Sequence, residues 1–197
     1  MTYENEKEQI MMEWEKPYME RSIEMLQPFG RVLEIGFGMG YSASSICDCS
    51  SVTEYNVIEC SSVVWEKFEI WRIEQLKKRP ELTINLIKGR WQDVMNNQGV
   101  FNAIYFDDYC GDGDGEGRYR LDMFMSNVIK NHTKIGSKIS FYSIYPKNFY
   151  SNFKCLSSVL HNYTVEIPKH CKYATGTTMY IPIYTKISND IDDFITY

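Results

Sequence analysis

The stretch from Arg31 to Tyr41, RVLEIGFGMGY, constrains the fold of this chain more than any other. Val32, Leu33 and Ile35 are apolar and β-favouring, as a buried parallel strand requires. Glu34 stands inside that strand, just ahead of Gly36, Gly38 and Gly40. The segment that follows, Tyr41 to Ile46, is small and polar enough to open a helix. A strand that stops in glycines and restarts as a helix brings bare backbone close to a ligand. G-x-G-x-G in that setting predicts a nucleoside-binding turn, with a glycine turn that binds nothing as the alternative.

Either side of this stretch, hydrophobic spacing lays out the remaining elements. Residues 5–27 carry Ile10, Met11, Trp14, Ile23 and Leu26 at helical spacing, and Pro17 predicts a break between two short helices. Tyr55 to Glu59 is the second strand and places Glu59 at its carboxyl end. In a nucleoside-binding unit an acid there takes the ribose hydroxyls; otherwise it is a surface Glu at a strand end. Ser61 to Lys78 is an amphipathic helix with Val64, Phe68, Trp71 and Leu76 inward. Leu82 to Ile87 is the third strand, and the loop Lys88 to Asp93 after it sits where an adenine lies. Trp91 there is a candidate stacking wall or simply a core residue. Phe101 to Phe106 is the fourth strand and delivers Asp107, Asp108 and Tyr109 to the ligand-binding edge of an open α/β sheet. A helix over 119–132, a strand Lys138 to Ile144, and a helix Phe149 to Leu160 follow. Two late strands, Tyr163 to Ile167 and Met179 to Thr185, pair antiparallel. The alternation predicts one doubly wound, mostly parallel α/β sheet with a terminal antiparallel strand. It divides into an N-terminal helical segment, 1–30, that covers the site and a single globular unit, 31–197.

Composition narrows the partners. A net charge of −5 with scattered Lys and Arg disfavours nucleic acid. No apolar run approaches the ~20 residues of a membrane span. The charged N-terminal stretch MTYENEKEQIMM is unlike a secretory signal, so the expected location is cytoplasmic and the six cysteines are expected as thiols. Cys47-Asp48-Cys49 lacks the second pair that zinc needs, and no metal is expected. Residues 110–117, CGDGDGEG, mimic the first half of a calcium loop, but Met123 stands where the closing acid belongs, so a solvated acidic loop is the better reading.

The glycine turn fits a dinucleotide or S-adenosylmethionine. G-x-G-x-G departs from the dinucleotide spacing G-x-G-x-x-G, and the late antiparallel pair favours S-adenosylmethionine. Glu34 then lies near the amino-acid end of that cofactor, where it can meet an ammonium group.

The chain resembles the guanidinoacetate methyltransferases and related guanidine N-methyltransferases. The likeness is carried by Met11-Met-Glu-Trp14-Glu15-Lys-Pro17-Tyr18-Met19 and by Val32-Leu-Glu-Ile-Gly-Phe-Gly-Met39. Ile58-Glu59-Cys60, Lys88-Gly89-x-Trp91-x-Asp93-Val94, Phe106-Asp107-x-Tyr109, Ile129-Lys-Asn-His132 and Cys171-Lys-Tyr173 follow in family order. The resemblance implies a Rossmann-like class I methyltransferase fold. It implies that Met11, Trp14 and Met19 cover S-adenosylmethionine, and that Gly36, Phe37, Gly38, Met39, Gly40, Tyr41 and Ser42 line its methionine part. Glu59, Cys60 and Ser61 then meet its ribose, while Trp91 and Gln92 flank the adenine. Glu15 and Asp107 hold the substrate guanidinium, and the backbone of Ile144 and Tyr145 matches the place that takes the substrate carboxylate.

Two acids suit that chemistry. A guanidinium is a poor nucleophile because its lone pairs are delocalised, and the sulfonium of the methyl donor is also a cation. Two such charges 4 Å apart repel by ~4 kcal/mol at an effective dielectric near 20. Paired carboxylates offset the repulsion, grip the planar guanidinium edge, and one accepts its proton.

The departures from the family pattern fall on the substrate side. Lys16 and Asp108 stand where the family has Thr, and Tyr142-Ser143-Ile144-Tyr145 replaces C-N-L-T. Asp108 and the acidic loop favour a substrate more cationic than guanidinoacetate, such as arginine or agmatine. Methylation of arginine inside a protein, and a catalytically inactive cofactor-binding partner protein, are the alternatives.

Overall fold

The computed structural model describes residues 11–108, 117–171 and 176–191. Seven strands form one sheet in the order β3-β2-β1-β4-β5-β7-β6. They are β1 (Gly30–Ile35), β2 (Val52–Glu59), β3 (Thr83–Lys88), β4 (Phe101–Phe106), β5 (Thr133–Phe141), β6 (Leu156–Thr164) and β7 (Thr178–Lys186). The first five run parallel, and β7 lies antiparallel between β5 and β6. The chain enters at the centre, winds outward to β3, and returns to place β4 on the other side of β1. That reversal leaves a crevice at the carboxyl ends of β1 and β4, where open α/β sheets bind ligands.

Strand alternation sorts side chains onto two faces. Val32, Val57, Ala103 and Tyr105 join the core under α1 (Lys16–Leu26), α2 (Tyr41–Asp48) and α3 (Ser62–Lys78). Leu33, Ile35, Ile58, Ile104 and Phe106 join the core under α4 (Trp91–Val94) and α5 (Gly117–Asn127). Continuing the period past β4 sends Asp107 toward the first face and Asp108 toward the second.

Several predicted elements are corrected. The break expected near Pro17 is present, and only the first helix differs: among the described residues it is a single 3-10 turn, Glu13–Glu15, while Pro17 lies in the first turn of α1, where its missing N–H costs nothing. The expected loop after β3 contains α4 and a second 3-10 turn, Met95–Asn97. Gly136 and Ser137 do not precede β5 but form an irregularity within it, between the pairs Phe101–Thr133 and Ala103–Lys138. The expected helix over Phe149 to Leu160 is absent. Those residues run irregularly and then enter β6, whose alternating exposure suits an edge strand. The antiparallel pairing at the end is as expected, with β6 beginning earlier. Among the described residues no helix is long and apolar enough to cross a membrane, and no cluster of acids, His and Cys is arranged to hold a metal.

Tyr18 fixes the N-terminal segment to the sheet. Its fully buried hydroxyl donates to the carbonyl of Tyr180 in β7 at 2.8 Å and accepts the Ser143 N–H at 3.0 Å. Ser143 follows β5 and also bridges to Tyr180, so one hydroxyl joins α1 to the site-bearing end of two strands. Tyr18→Phe leaves a buried N–H and carbonyl without this partner and is expected to lower stability by about 1–3 kcal/mol. Urea denaturation measures it, and an unchanged midpoint would contradict this role.

Candidate active site

The glycine turn is built against the end of β4. Gly36 has φ +82°, and a Cβ there would lie 2.3 Å from the Asp107 carbonyl oxygen, so no side chain fits. The Gly36 N–H donates to the Ile58 carbonyl at 2.9 Å and the Asp107 N–H to the Ile35 carbonyl at 3.0 Å. These bonds stitch the ends of β1, β2 and β4 together. Gly40 (φ +73°) is the N-cap of α2, and a Cβ there would meet the Phe37 ring at 2.7 Å. Phe37 is itself buried against Phe68 and Trp71, which anchors the turn. Met11 lies on the same turn: the Met39 N–H reaches its Sδ at 3.4 Å, and a Cβ on Gly38 would touch it at 3.0 Å.

Glu59 closes this floor. One carboxylate oxygen accepts the Phe37 N–H at 3.0 Å and the other the Ser61 N–H at 2.7 Å. Ser61 caps α3, and Cys60 between them is exposed. Glu59 is thereby held against the loop at the carboxyl end of β2.

Glu34 has a different place from the expected one. It is sealed, at 0% exposure, and its carboxylate accepts the hydroxyls of Ser42 and Tyr55. Burial pushes it up to about 8, against the pull of those hydrogen bonds. It ties β1 to α2 and β2 behind the turn, and no part of it reaches the crevice. Met19 and Trp91 also lie in the core, which for Trp91 is one of the two places expected of it. Met19 is fully buried beneath the Tyr105 hydroxyl, and Trp91 packs edge-on against Phe106 and Phe124. Gln92 and Tyr41 keep exposed surface, Ser42 is buried, and Trp14 packs partly buried against the first core.

Glu15 and Asp107, distant in the chain, act on one another electrostatically. Glu15 ends the 3-10 turn before α1, is 2% exposed, and accepts the Met12 N–H at 2.7 Å. Asp107 leaves β4 on the face that α1 covers. Burial first, then the charge of Glu15, then Glu34, Asp108 and Glu59 hold the Asp107 carboxyl well above its usual range. Such a pair favours a bound proton or an entering cation.

Asp108 turns out not to face that pair. Its Oδ2 accepts the Trp91 Nε1–H at 2.9 Å and the Arg120 Nε–H at 2.8 Å, so its charge is already matched. Ile144 and Tyr145 are exposed at the rim, but the Tyr145 N–H donates to Ser143 Oγ at 3.2 Å. Tyr109 and residues 110–116 lie outside the described residues. Tyr18, Tyr55 and Arg120 were not singled out from the sequence. Tyr18 was within reach as part of the P-Y-M motif, whereas no pattern marks Arg120.

Residues 5–146 match the family model described as guanidinoacetate N-methyltransferase. The chain belongs to that family. Among curated relatives, protein arginine N-methyltransferase 2 of Aspergillus oryzae is 33% identical over 131 residues, 61% of this chain and 28% of that protein. The protein of the same name in Gibberella zeae is 29% identical over 151 residues, 68% of this chain and 32% of that one. This chain thus spans about a third or less of the length of these two relatives. Solved structures share the fold at low identity. TrmN of Thermus thermophilus aligns with a TM-score of 0.60 at 13% identity, over 87% of this chain and 49% of that one. The O-methyltransferase TomG of Streptomyces achromogenes, in complex with SAM, aligns at 0.56 and 10% identity over 90% and 82%. The architecture is that of class I methyltransferases, and S-adenosylmethionine is the cofactor that goes with family and fold. The bare turn and the aligned Glu59 fit it.

Two outcomes follow from this geometry. Gly36→Ala is expected to lower S-adenosylmethionine affinity at least tenfold, because the turn must move away from Asp107; calorimetry with the purified variant measures it. For Glu34, a raised native value means the folded protein holds a proton that the unfolded chain has lost above 4.5. Its contribution therefore falls as pH rises from 4.5 to about 8 and stays low above that. Glu34→Gln should flatten this part of the stability profile, and Asp107 leaves a residual slope of the same sign. An identical slope in the variant would contradict the assignment.

Proposed function

We propose that this protein transfers a methyl group from S-adenosylmethionine to a guanidino nitrogen, with an arginine-like or guanidinoacetate-like small molecule as acceptor. The observation that carries the reading is that buried Glu15 bears electrostatically on Asp107, whose carbonyl abuts the glycine turn. When bound, the cofactor supplies an electrophilic methyl on a positively charged sulfur. The chain's own residues do the rest. Glu15 and Asp107 take the edge of a guanidinium through paired N–H···O bonds and offset its repulsion from the sulfonium. A guanidinium gripped by both acids is aimed with one nitrogen at the methyl, which supplies much of the rate by orientation. As the N–C bond forms, a proton leaves that nitrogen, and Asp107 accepts it, its affinity for a proton already raised by burial. Gly36 to Gly40 and Glu59 hold the donor, and Met11 and Trp14 from the segment 1–30 cover it. Gln92 and Cys60 stand at the adenosine end.

Methylation of arginine within a protein is the second reading, favoured by the name that the fungal relatives carry. The two share the guanidinium and differ in what is attached to it. The test is an assay with guanidinoacetate, arginine, agmatine and arginine peptides, with the added mass located by fragmentation. Asp107→Asn is expected to keep cofactor affinity within a few-fold and to lose at least ~100-fold in turnover. No methylated product on any acceptor would sink the reading and leave a cofactor-binding partner protein in its place.

A further inference from the structure

Adjacent aspartates leave β4 on opposite faces, and only one of them is spoken for by the proposed chemistry. Asp108 is 12% exposed in its side chain and Arg120, from the second turn of α5, is 21% exposed. A single oxygen of Asp108 collects three N–H groups: the Trp91 Nε1–H at 2.9 Å, the Arg120 Nε–H at 2.8 Å, and the Arg120 Nη2–H. Trp91 is the first residue of α4 and its ring is locked between Phe106 and Phe124. Its neighbour Gln92 is exposed. Asp108 also acts on Cys60, the residue after Glu59: burial, then Glu59 and Asp108, push that thiol up while Arg90 pulls it down. Asp108 therefore stands between the ends of β2 and β4, on the side of the crevice that Glu59 and Gln92 border.

We propose that Arg120 is a positioning residue for the adenosine end of the cofactor, acting through Asp108 on Trp91 and the start of α4. This rests on the reading that Glu59 and Gln92 border the adenosine. Arg120 performs two tasks that a neutral side chain cannot combine. Its fork orients Asp108 so that the same oxygen meets the indole N–H, which sets where α4 begins. Its charge also cancels that of Asp108. Without it, a half-buried carboxylate stands unpaired beside Asp107 and adds repulsion to a site that needs only enough negative charge for one guanidinium and one sulfonium.

The test compares two probes, S-adenosylhomocysteine and 5′-methylthioadenosine, which share the adenosine and differ in the amino-acid part. Arg120→Met is expected to weaken both by a similar factor, about tenfold. In Asp108→Asn/Arg120→Met the Asn keeps an acceptor for Trp91 without a charge, and most of the affinity should return. Arg120→Lys keeps the charge and loses the fork, so it should fall between wild type and Arg120→Met, and it guards against loss of folding in the single variant. The proposal is overturned if Arg120→Met leaves both affinities unchanged, if only S-adenosylhomocysteine weakens, or if the double variant binds no better than the single one. Wild-type protein that binds neither probe would overturn the cofactor site itself along with the proposal, a result distinguishable from an indifferent Arg120.

Discussion

The repulsion between buried carboxylates is the interaction around which the rest of the structure is arranged. Glu15, Glu34, Glu59, Asp107 and Asp108 crowd the carboxyl ends of three strands, and a carboxylate taken out of water must be protonated, hydrogen-bonded or paired. Each of these acids meets that demand in its own way. Glu34 is pushed up to about 8 and is bound by two hydroxyls. Glu59 satisfies two backbone N–H groups of the turn that it braces. Asp108 is matched by Arg120. The charge of Glu15 helps to hold the Asp107 carboxyl above its usual range, and under the proposed function an entering guanidinium would relieve that repulsion.

Holding that arrangement is the task of the N-terminal segment. Glu15 arrives only if α1 docks, and α1 docks through Tyr18, whose hydroxyl is shared between β7 and the turn after β5. The antiparallel strands at the far side of the sheet, remote in sequence from the glycine turn, therefore bear on the site. Pro17 contributes by starting α1 directly after Glu15, so the acid sits at the junction of two helical turns and not in the middle of one.

The sequence made legible whatever depends on short-range pattern. Phe101–Phe106 was readable to the residue because a mostly apolar run, broken only by Asn102, stops at two aspartates. The glycine turn, Glu59 and α3 followed from spacing. Where packing decides, reading failed. Residues 149–160 have helical-looking apolar spacing, yet edge pairing with β7 makes Leu156–Thr164 a strand. Trp91 and Met19 carry apolar bulk that serves a pocket wall or a core equally well, and only the tertiary neighbours Phe106, Phe124 and Tyr105 choose. Asp108 was read as favouring a more cationic substrate because nothing in the chain announces that Arg120 will fold back onto it. The pairing of Glu15 with Asp107 was visible only through the family resemblance, since no spacing relates two acids so far apart in the chain.

The central claim is that Glu15 and Asp107 together form the guanidinium site. It is tested most directly by calorimetric titration of the S-adenosylhomocysteine-loaded protein with agmatine, arginine, guanidinoacetate and an arginine peptide. The account predicts that at least one of these binds, and that Glu15→Gln and Asp107→Asn each abolish the binding while the S-adenosylhomocysteine complex persists. Guanidine binding that is indifferent to both substitutions, or no binding by any of the four ligands to the loaded wild type, would contradict it.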